Sequence, residues 1–166
     1  KEEIMAKEIE RKFLVDKNKL PILQDGQQII QGYLSEHPQI RVRLITKNEI
    51  ETAKMAYKTP AIGLVREEIE FDIPLKEAKE LMTQTEIKLE KTRFYLYPEL
   101  VEGLIDRWEI DVYGGKNEGL VVAEIELKSE DEEIGSLPIW IRQEVTGDKR
   151  YGNVTLAKEP IDKSLM

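Results

Sequence analysis

The chain has 166 residues, 35% of them charged and 40% hydrophobic, which suits a single globular domain with a substantial core. It contains no cysteine, which excludes disulfides and thiolate metal sites and is compatible with a reducing cytoplasm. Its net charge of −8 argues against a nucleic-acid binder held by a general basic surface. The sequence shows neither a signal-peptide pattern nor an apolar run near the roughly 20 residues that span a membrane, so we expect a cytoplasmic protein without membrane partners.

The alternation of polar and apolar residues predicts a chain dominated by β-strands. Strands are expected at residues 7–15, 28–35, 39–46, 51–58, 64–72, 86–97, 101–113 and 119–128. Helical segments are expected at 17–24 (a short helix or turn), at 75–84 after Pro74, and at 129–134 (an acidic helical turn). The aromatic and apolar residues of 138–159 predict a tail that packs back on the body. All these elements fall in one predicted domain, residues 4–160.

Charged side chains share one face on seven of the predicted strands. Side chains alternate between the two faces of a strand, so residues at positions i and i+2 point the same way. The opposite faces carry apolar residues such as Val42, Ile110 and Ile125. The charged sets are Glu8, Glu10 and Lys12; Arg41 and Arg43; Lys54 and Lys58; Arg66, Glu68 and Glu70; Lys91 and Arg93; Arg107, Glu109 and Asp111; and Glu124, Glu126 and Lys128.

Two sheet arrangements would explain these charged faces. The first is an open sheet with one solvated face and helices on the other. The second is a closed barrel with a polar lumen. Like charges at i and i+2 lie about 7 Å apart, which is unfavourable unless something neutralises them. Because the pattern recurs on seven strands, it favours the barrel, with carboxylates that hold cations and basic residues that hold an anion.

The two kinds of charge predict metal-dependent phosphate chemistry. Carboxylate oxygens are the ligands that Mg²⁺ and Mn²⁺ prefer, and Arg and Lys match phosphoryl oxygens. Metal ions and basic residues that converge on one anion are typical of phosphoryl transfer. His37 is the only histidine, which excludes a His-based triad or a His-rich metal site. Trp108 and Trp140 are interpreted as packing residues.

Motifs along residues 6–160 resemble the CYTH domain, or triphosphate tunnel metalloenzyme, superfamily. A Glu-x-Glu-x-Lys match at Glu8, Glu10 and Lys12 alone would be weak evidence, but the further motifs follow in the family's order. They are Gln31-Gly32-Tyr33-Leu34, Arg41-x-Arg43, Arg66-x-Glu68-x-Glu70 before Ile73-Pro74, Lys91-x-Arg93, Glu109-x-Asp111, Gly119-Leu120 with Glu124-x-Glu126, Glu144-Val145-Thr146, and Tyr151-x-Asn153-x-x-Leu156.

The resemblance implies a β-rich (α+β) fold, a closed eight-stranded antiparallel β-barrel with a few flanking helices. The barrel would form a triphosphate tunnel, usually in a homodimer, and would need Mg²⁺ or Mn²⁺. By resemblance, the main metal would be held by Glu8, Glu10 and Glu126, with Glu124 near them. A second acidic patch would be lined by Glu68, Glu70, Glu109 and Asp111, which would also be metal ligands. The phosphates would be bound by Lys12, Arg41, Arg43, Lys58, Lys91 and Arg93.

Catalytic roles are assigned by the same resemblance to Lys12, Tyr33 and Lys58, with Tyr33 pairing with Lys12 to orient it. The fourth strand departs from the family pattern, which often has Thr-x-Lys where this chain has Ala56-Tyr57-Lys58. Lys54 lies on the same predicted face, so the lysine that contacts substrate is open between Lys54 and Lys58.

The leading functional hypothesis is a metal-dependent phosphoric anhydride hydrolase in which water attacks a terminal phosphorus of tripolyphosphate and phosphate is released. The enzymatic alternatives are an adenylate cyclase or a nucleoside or thiamine triphosphatase of the same superfamily. A cyclase would need a base pocket at the tunnel mouth, and the sequence predicts no aromatic cluster there. A polyphosphate-binding module without catalysis is a further alternative, against which the complete set of carboxylates argues.

Overall fold

The structure, a computed structural model, describes residues 6–166, which form a nine-stranded sheet and two α-helices. The strands are β1 (Ala6–Val15), β2 (Gln27–Glu36), β3 (Gln39–Lys47), β4 (Ile50–Lys58), β5 (Val65–Asp72), β6 (Lys88–Leu96), β7 (Trp108–Tyr113), β8 (Val121–Glu126) and β9 (Ile141–Glu144). The helices are α1 (Leu75–Met82) and α2 (Asn153–Lys158). The domain boundary predicted at residue 4 lies outside the described residues.

Eight antiparallel strands close into a barrel in the order β5-β4-β3-β2-β6-β7-β8-β1. The first half of β1 makes the closure, because Ala6 to Ile9 pair with Glu68 to Val65 of β5. The second half of β1 pairs with β9, an extra strand in the tail that the sequence predicted only to pack on the body. The closed eight-stranded barrel expected from the sequence is confirmed.

The main apolar core lies outside the barrel wall. A large cluster covers the outer faces of β1, β6, β7 and β8 and includes Phe13, Trp108, Ile110 and Trp140. The Trp108 ring meets the Phe13 and Trp140 rings edge to face, with centroids 5.6 and 5.3 Å apart, so both tryptophans are packing residues as predicted. Burial of such side chains contributes about 1.5–3 kcal/mol each. The apolar cluster on the outer faces therefore stabilises the barrel, and the inner face can carry charged side chains.

The rows of inward-facing residues become apolar at one end of the barrel. Two residues beyond the inward charges on β1, β7 and β8 lie Leu14, Tyr113 and Val122, all buried in a second apolar cluster. Leu156 of α2 and Tyr151 before it fill the space between them. The C-terminal segment therefore closes this end of the lumen.

Helix α1 covers the outer faces of β3 and β4. Its residues Ala78 and Met82 pack against Val42 and Ala53. Where the chain leaves α1 it passes close to β2, and a Cβ added at Gly32 would lie 2.6 Å from the Met82 sulfur. Glycine at position 32 therefore allows the close approach of helix and barrel.

Two predicted elements are shorter or absent. The strand predicted at 101–113 begins only at Trp108, because residues 97–104 form turns that include Gly103 at φ +79°. Residues 129–134 form a turn closed by the bond from Glu132 N to Ser129 O rather than a helical segment. No helix in the described part of the chain is long and apolar enough to cross a membrane.

Candidate active site

The barrel encloses a cavity of about 320 Å³ with a strongly charged lining. Eleven of the predicted site residues line it: Glu8, Glu10, Arg41, Arg43, Lys58, Glu68, Glu70, Arg93, Glu109, Glu124 and Glu126. Because neighbouring strands are in register, alternation along each strand carries these side chains to one lumen. The predicted polar lumen is therefore present.

Carboxylates of β1 and β8 form the acidic part of the lumen. Glu10 pairs in register with Glu126, so two like charges stand opposite each other. Burial, together with the neighbouring Glu124 and Glu8 carboxylates, raises the pKa of Glu10 to about 8. Burial would also raise the pKa of Glu124, but the nearby charges of Lys12, Arg93 and Lys91 together outweigh this and lower it to about 2. This part of the lumen has an excess of negative charge.

The acidic group fits a divalent metal ion by the chemistry of its donors. Glu8, Glu10, Glu124 and Glu126 offer only carboxylate oxygens, the donors that hard cations select. Their excess of negative charge is what a bound cation would neutralise. Across residues 6–166, no three or more Asp, Glu, His or Cys side chains are already arranged to hold a metal. In the structure Glu8 instead contacts the Lys58 ammonium at 2.7 Å.

Three guanidinium groups form the basic part of the lumen. Arg41 lies 3.4 and 3.2 Å from carboxylate oxygens of Glu68 and Glu70. Arg93 donates to both carboxylate oxygens of Asp111, at 2.8 and 2.9 Å, and lies 3.2 Å from Glu109.

Arg43 differs from the other two arginines. Its Nε donates to the neutral Gln31 Oε1 at 2.9 Å, and no carboxylate among residues 6–166 lies within ion-pair distance of it. Burial and the nearby Arg41 and Arg93 charges lower the pKa of Arg43 to about 10. Arg43 therefore places in the lumen a positive charge that forms no ion pair with the described carboxylates.

Four predicted site residues lie beyond the cavity lining, toward the closed end: Lys12, Tyr33, Lys91 and Asp111. The Lys91 and Asp111 side chains have no solvent exposure and are joined at 2.7 Å. Burial would raise the pKa of Asp111, but Arg93 and Lys91 outweigh it and hold that pKa well below its usual range. Both Asp111 oxygens already accept hydrogen bonds, so the structure does not present Asp111 as a free metal ligand.

The expected pairing of Tyr33 with Lys12 does not occur as a hydrogen bond in residues 6–166. The Lys12 ammonium donates to the Tyr151 carbonyl at 3.1 Å and lies 3.6 Å from Glu124 Oε1. The Tyr33 hydroxyl accepts a hydrogen bond from Gln31 Nε2 at 2.8 Å. Tyr33 thus belongs to the group that holds Gln31 and, through it, Arg43.

Lys54 and Lys58 both line the cavity but have different surroundings. Lys58 is buried between Glu8 and Glu68, at 2.7 and 3.9 Å. Lys54 pairs with the exposed Asp72 at 2.8 Å near the rim. The structure therefore connects Lys58, and not Lys54, to the buried charge network.

The sequence assigned no role to several residues in or next to the cavity, although Gln31 and Asn153 stand within its motifs. Gln27 and Gln31 lie on the inward face of β2, where alternation from Tyr33 would have found them. Asn153 of α2 reaches the lumen only through the folded C-terminal segment and accepts a hydrogen bond from the Tyr113 hydroxyl at 2.6 Å.

The prediction that no aromatic cluster lies at the tunnel mouth is wrong. Tyr95 lines the cavity, and its ring stacks near that of Tyr97, with centroids 6.1 Å apart. The Arg107 guanidinium lies over both rings, 4.7 and 5.6 Å from their centroids. Neither Arg107 nor Lys128 lines the central cavity, although the sequence placed both on the charged faces.

An eight-stranded barrel with carboxylates and guanidinium groups facing each other across its lumen defines the triphosphate tunnel, or CYTH, class of protein. The chain is 39% identical over 160 residues to an inorganic triphosphatase of Acetivibrio thermocellus, covering 94% of this chain and 96% of the relative. It is 35% identical over 156 residues to an inorganic triphosphatase of Nitrosomonas europaea, with 90% and 96% covered. The chain belongs to the inorganic triphosphatase family.

Solved structures agree with this assignment. The crystal structure of the inorganic triphosphatase NE1496 matches with a TM-score of 0.62 and 32% identity, covering 93% of this chain and 97% of that one. PH1819 of Pyrococcus horikoshii, at 21% identity and a TM-score of 0.54, shares the fold. No protein-family model matches the chain.

Proposed function

We propose that this protein hydrolyses inorganic tripolyphosphate inside the barrel and depends on Mg²⁺ or Mn²⁺ for activity. The observation that carries the proposal is Arg43, a lumen cation that no carboxylate of residues 6–166 neutralises. The two relatives named inorganic triphosphatase support tripolyphosphate as the substrate.

An anion of high charge density fits the basic part of the lumen. Arg41, Arg43 and Arg93 repel one another, which is costly in a site shielded from bulk water. Guanidinium groups bind phosphoryl oxygens through paired, charge-assisted hydrogen bonds. A tripolyphosphate carries several such oxygens along its length, so one ligand can contact all three groups and remove their repulsion.

The acidic part of the lumen would hold the metal ion, through Glu8, Glu10, Glu124 and Glu126. When bound, a divalent cation there would neutralise charge on the phosphoryl oxygens and favour formation of the nucleophile from water. The chain itself supplies position and charge, which are its main contributions in phosphoryl transfer. Asp111 fixes the Arg93 guanidinium, and Gln31 fixes that of Arg43.

The test is phosphate release from tripolyphosphate, with Mg²⁺ or Mn²⁺ and after removal of metal with EDTA. Full activity in EDTA would contradict the metal dependence. We expect Arg43→Ala to lower kcat/KM by about 10²–10³-fold, because it removes a charged group that contacts the phosphates.

The matched control is Lys79→Ala, which removes an exposed cation on α1 paired with Glu51 at 2.9 Å and should retain full activity. An Arg43→Ala variant as active as this control would overturn the phosphate assignment. Measurement of cyclic AMP from ATP in the same assay tests the cyclase alternative, and binding without turnover would indicate a non-catalytic module. The homodimer and the cytoplasmic location stay predictions.

A further inference from the structure

The C-terminal segment leaves one corner of the closed end of the barrel open. A cavity of about 230 Å³ lies there, between the loop that joins β4 to β5 and residues 145–152, and we call it the rear pocket. Its rim residues Ala61, Gly63 and Lys149 are exposed, so the rear pocket opens to solvent. The Glu8 and Glu10 side chains line both the rear pocket and the central cavity. The lumen therefore approaches solvent at a second point, away from its mouth.

The rear pocket lies where β1 changes its partner. Residues Ala6 to Ile9 pair with β5, whereas Phe13 to Val15 pair with β9 along the same edge. In the interval between them, the Lys12 backbone N–H donates to Thr146 Oγ1 at 2.9 Å instead of to a neighbouring strand. The wall of the barrel is therefore interrupted on this side of β1.

Cationic side chains from three parts of the chain surround the rear pocket: Lys12 of β1, Arg66 of β5 and Lys149 after β9. Arg66 donates to the Thr59 carbonyl at 3.0 Å, and in the described part of the chain neither Arg66 nor Lys149 forms an ion pair. The volume of the rear pocket lies below the roughly 300 Å³ at which sites for small organic molecules begin. Its size and its cations therefore suit a small inorganic anion.

Two of the three carboxylates around the rear pocket already have cationic partners. Glu8 contacts Lys58 at 2.7 Å, and Asp148 contacts Arg150 at 2.7 Å. The third, Glu10, belongs to the group proposed to hold the metal ion, which would neutralise its charge. The balance of charge around the rear pocket therefore favours an anion.

We propose that the rear pocket is an orthophosphate site through which this product leaves the lumen. Tripolyphosphate carries the same group at both ends, so whichever end enters first places a terminal phosphoryl group at the inner end of the cavity. Hydrolysis of that group forms orthophosphate behind pyrophosphate, which still fills the path to the mouth. This inference rests on the proposed function and concerns the route and order in which its products leave.

The chemical step is the hydrolysis already proposed. Water forms a bond to the inner terminal phosphorus, and the bond from that phosphorus to the bridging oxygen breaks. Pyrophosphate keeps the electron pair, and the protons of water pass to orthophosphate and solvent. Orthophosphate then passes Glu8 and Glu10 and reaches Arg66 and Lys149, while pyrophosphate remains on the arginines of the lumen.

Product inhibition tests the order of release. If orthophosphate leaves first, it should inhibit noncompetitively against tripolyphosphate, whereas pyrophosphate should inhibit competitively. If the inner orthophosphate had to wait for the mouth to clear, pyrophosphate would leave first and the two patterns would be exchanged. Competitive inhibition by orthophosphate would therefore overturn the proposal.

Ala61→Trp tests the route, because it places a large side chain at the rim of the rear pocket. We expect kcat to fall about 10-fold, since product release would become the slow step, and a burst of phosphate to appear in the first turnover. The ratio kcat/KM should keep its wild-type value, because release follows the bond cleavage. The matched control is Ile62→Trp, at an exposed neighbour that does not line the rear pocket.

Lys149→Glu tests the binding of the anion without turnover. By isothermal titration calorimetry, orthophosphate should bind to wild-type protein that is already saturated with pyrophosphate. Reversal of this exposed charge should weaken that binding by about 2- to 10-fold. The matched control is Lys116→Glu, at an exposed lysine outside the rear pocket. Absence of orthophosphate binding to the pyrophosphate complex would contradict the site.

The outcomes separate this inference from the proposed function. If the wild-type protein hydrolyses tripolyphosphate but Ala61→Trp and Lys149→Glu both behave as their controls, the exit is overturned and the triphosphatase stands. If the wild-type protein hydrolyses no tripolyphosphate, the proposed function fails and the exit fails with it.

Discussion

At the scale of single residues, the lumen contains charged side chains that neighbouring side chains neutralise only in part. Among residues 6–166, Arg43 has no carboxylate within ion-pair distance, whereas Glu10 stands among other carboxylates. Each imbalance is unfavourable for the folded protein by itself. Because the two imbalances have opposite sign and share one cavity, a bound metal–anion complex would relieve both. The same charges that would bind such a complex therefore lower the stability of the unliganded protein.

The unfavourable position of Glu10 predicts a pH-dependent stability in metal-free buffer. With a folded pKa of about 8, against an ordinary value of 4.5, the folded state binds more protons than the unfolded state between these values. The stabilising contribution of Glu10 to the free energy of unfolding is therefore fully present below about pH 4.5 and is lost as the pH rises through about 8. We expect Glu10→Gln to flatten this slope and raise the free energy of unfolding at pH 8 by up to a few kcal/mol.

Thermal unfolding between pH 4.5 and 8.5, with EDTA present, measures this effect. Glu67→Gln, at an exposed position of β5, should leave the slope as it is in the wild type. An unchanged slope in Glu10→Gln would show that the Glu10 carboxyl titrates normally.

At the scale of elements, strands β6 and β7 are joined inside the lumen by buried hydrogen bonds between charged side chains. Asp111 of β7 accepts hydrogen bonds from Lys91 and Arg93 of β6, so the two strands fix the Arg93 guanidinium between them. The sequence resemblance predicted Asp111 as a metal ligand and Lys91 as a phosphate contact. The geometry instead favours a positioning role for Asp111, which we call a brace: its carboxylate holds the Arg93 guanidinium in place through hydrogen bonds.

The two roles of Asp111 make different forecasts for Asp111→Asn. As a brace, Asp111 is needed to neutralise two buried cations, so its loss should lower the free energy of unfolding by about 3–5 kcal/mol. KM for tripolyphosphate should rise, whereas the Mg²⁺ concentration giving half-maximal activity should stay near the wild-type value. If Asp111 were a metal ligand, Asp111→Asn would instead raise the Mg²⁺ concentration that gives half-maximal activity.

Metal titrations of activity, together with urea unfolding, separate the two roles. Asp72→Asn is the matched control, since Asp72 is an exposed carboxylate that pairs with Lys54 at the rim. A large rise in the required Mg²⁺ concentration, with unchanged stability, would contradict the brace.

At the scale of the whole molecule, a net charge of −8 coexists with an anion site. Charges on the outer surface are screened over about 8 Å at physiological ionic strength, whereas charges facing the lumen act at short range and in shielded surroundings. The barrel wall separates the two environments. An acidic protein can therefore bind a polyanion, because the local charge of the lumen decides the interaction.

Binding at this lumen should stabilise the whole barrel. Tripolyphosphate at a free concentration about 100 times its Kd should add about 2.7 kcal/mol to the free energy of unfolding. For a chain of this size that corresponds to a rise in Tm of roughly 5–10 °C. Differential scanning fluorimetry measures the shift, with sodium sulfate at matched ionic strength as the control for screening. A Tm no higher than in sulfate would contradict the anion site, and Arg43→Ala should reduce the shift.

The sequence by itself determined the strands and the face that each presents, because the two-residue period of a strand is a local property. Glu8 with Glu10, Arg41 with Arg43, and Glu124 with Glu126 could be assigned to shared faces in this way. The family's order of motifs then indicated barrel closure and the class of chemistry. These inferences needed no knowledge of which distant residues touch.

Only the tertiary structure decided how deeply each charged side chain lies in the lumen, which side chains pair with each other and which remain accessible from the cavity. Lys91 and Asp111 have the same alternation as Arg93 and Glu109, but the C-terminal segment closes the barrel over the first pair and leaves the second in the cavity. The contact of Arg107 with the Tyr95 ring likewise crosses the turns between β6 and β7. Such contacts depend on strand register and on packing between residues far apart in the chain, and a local periodicity carries no information about either.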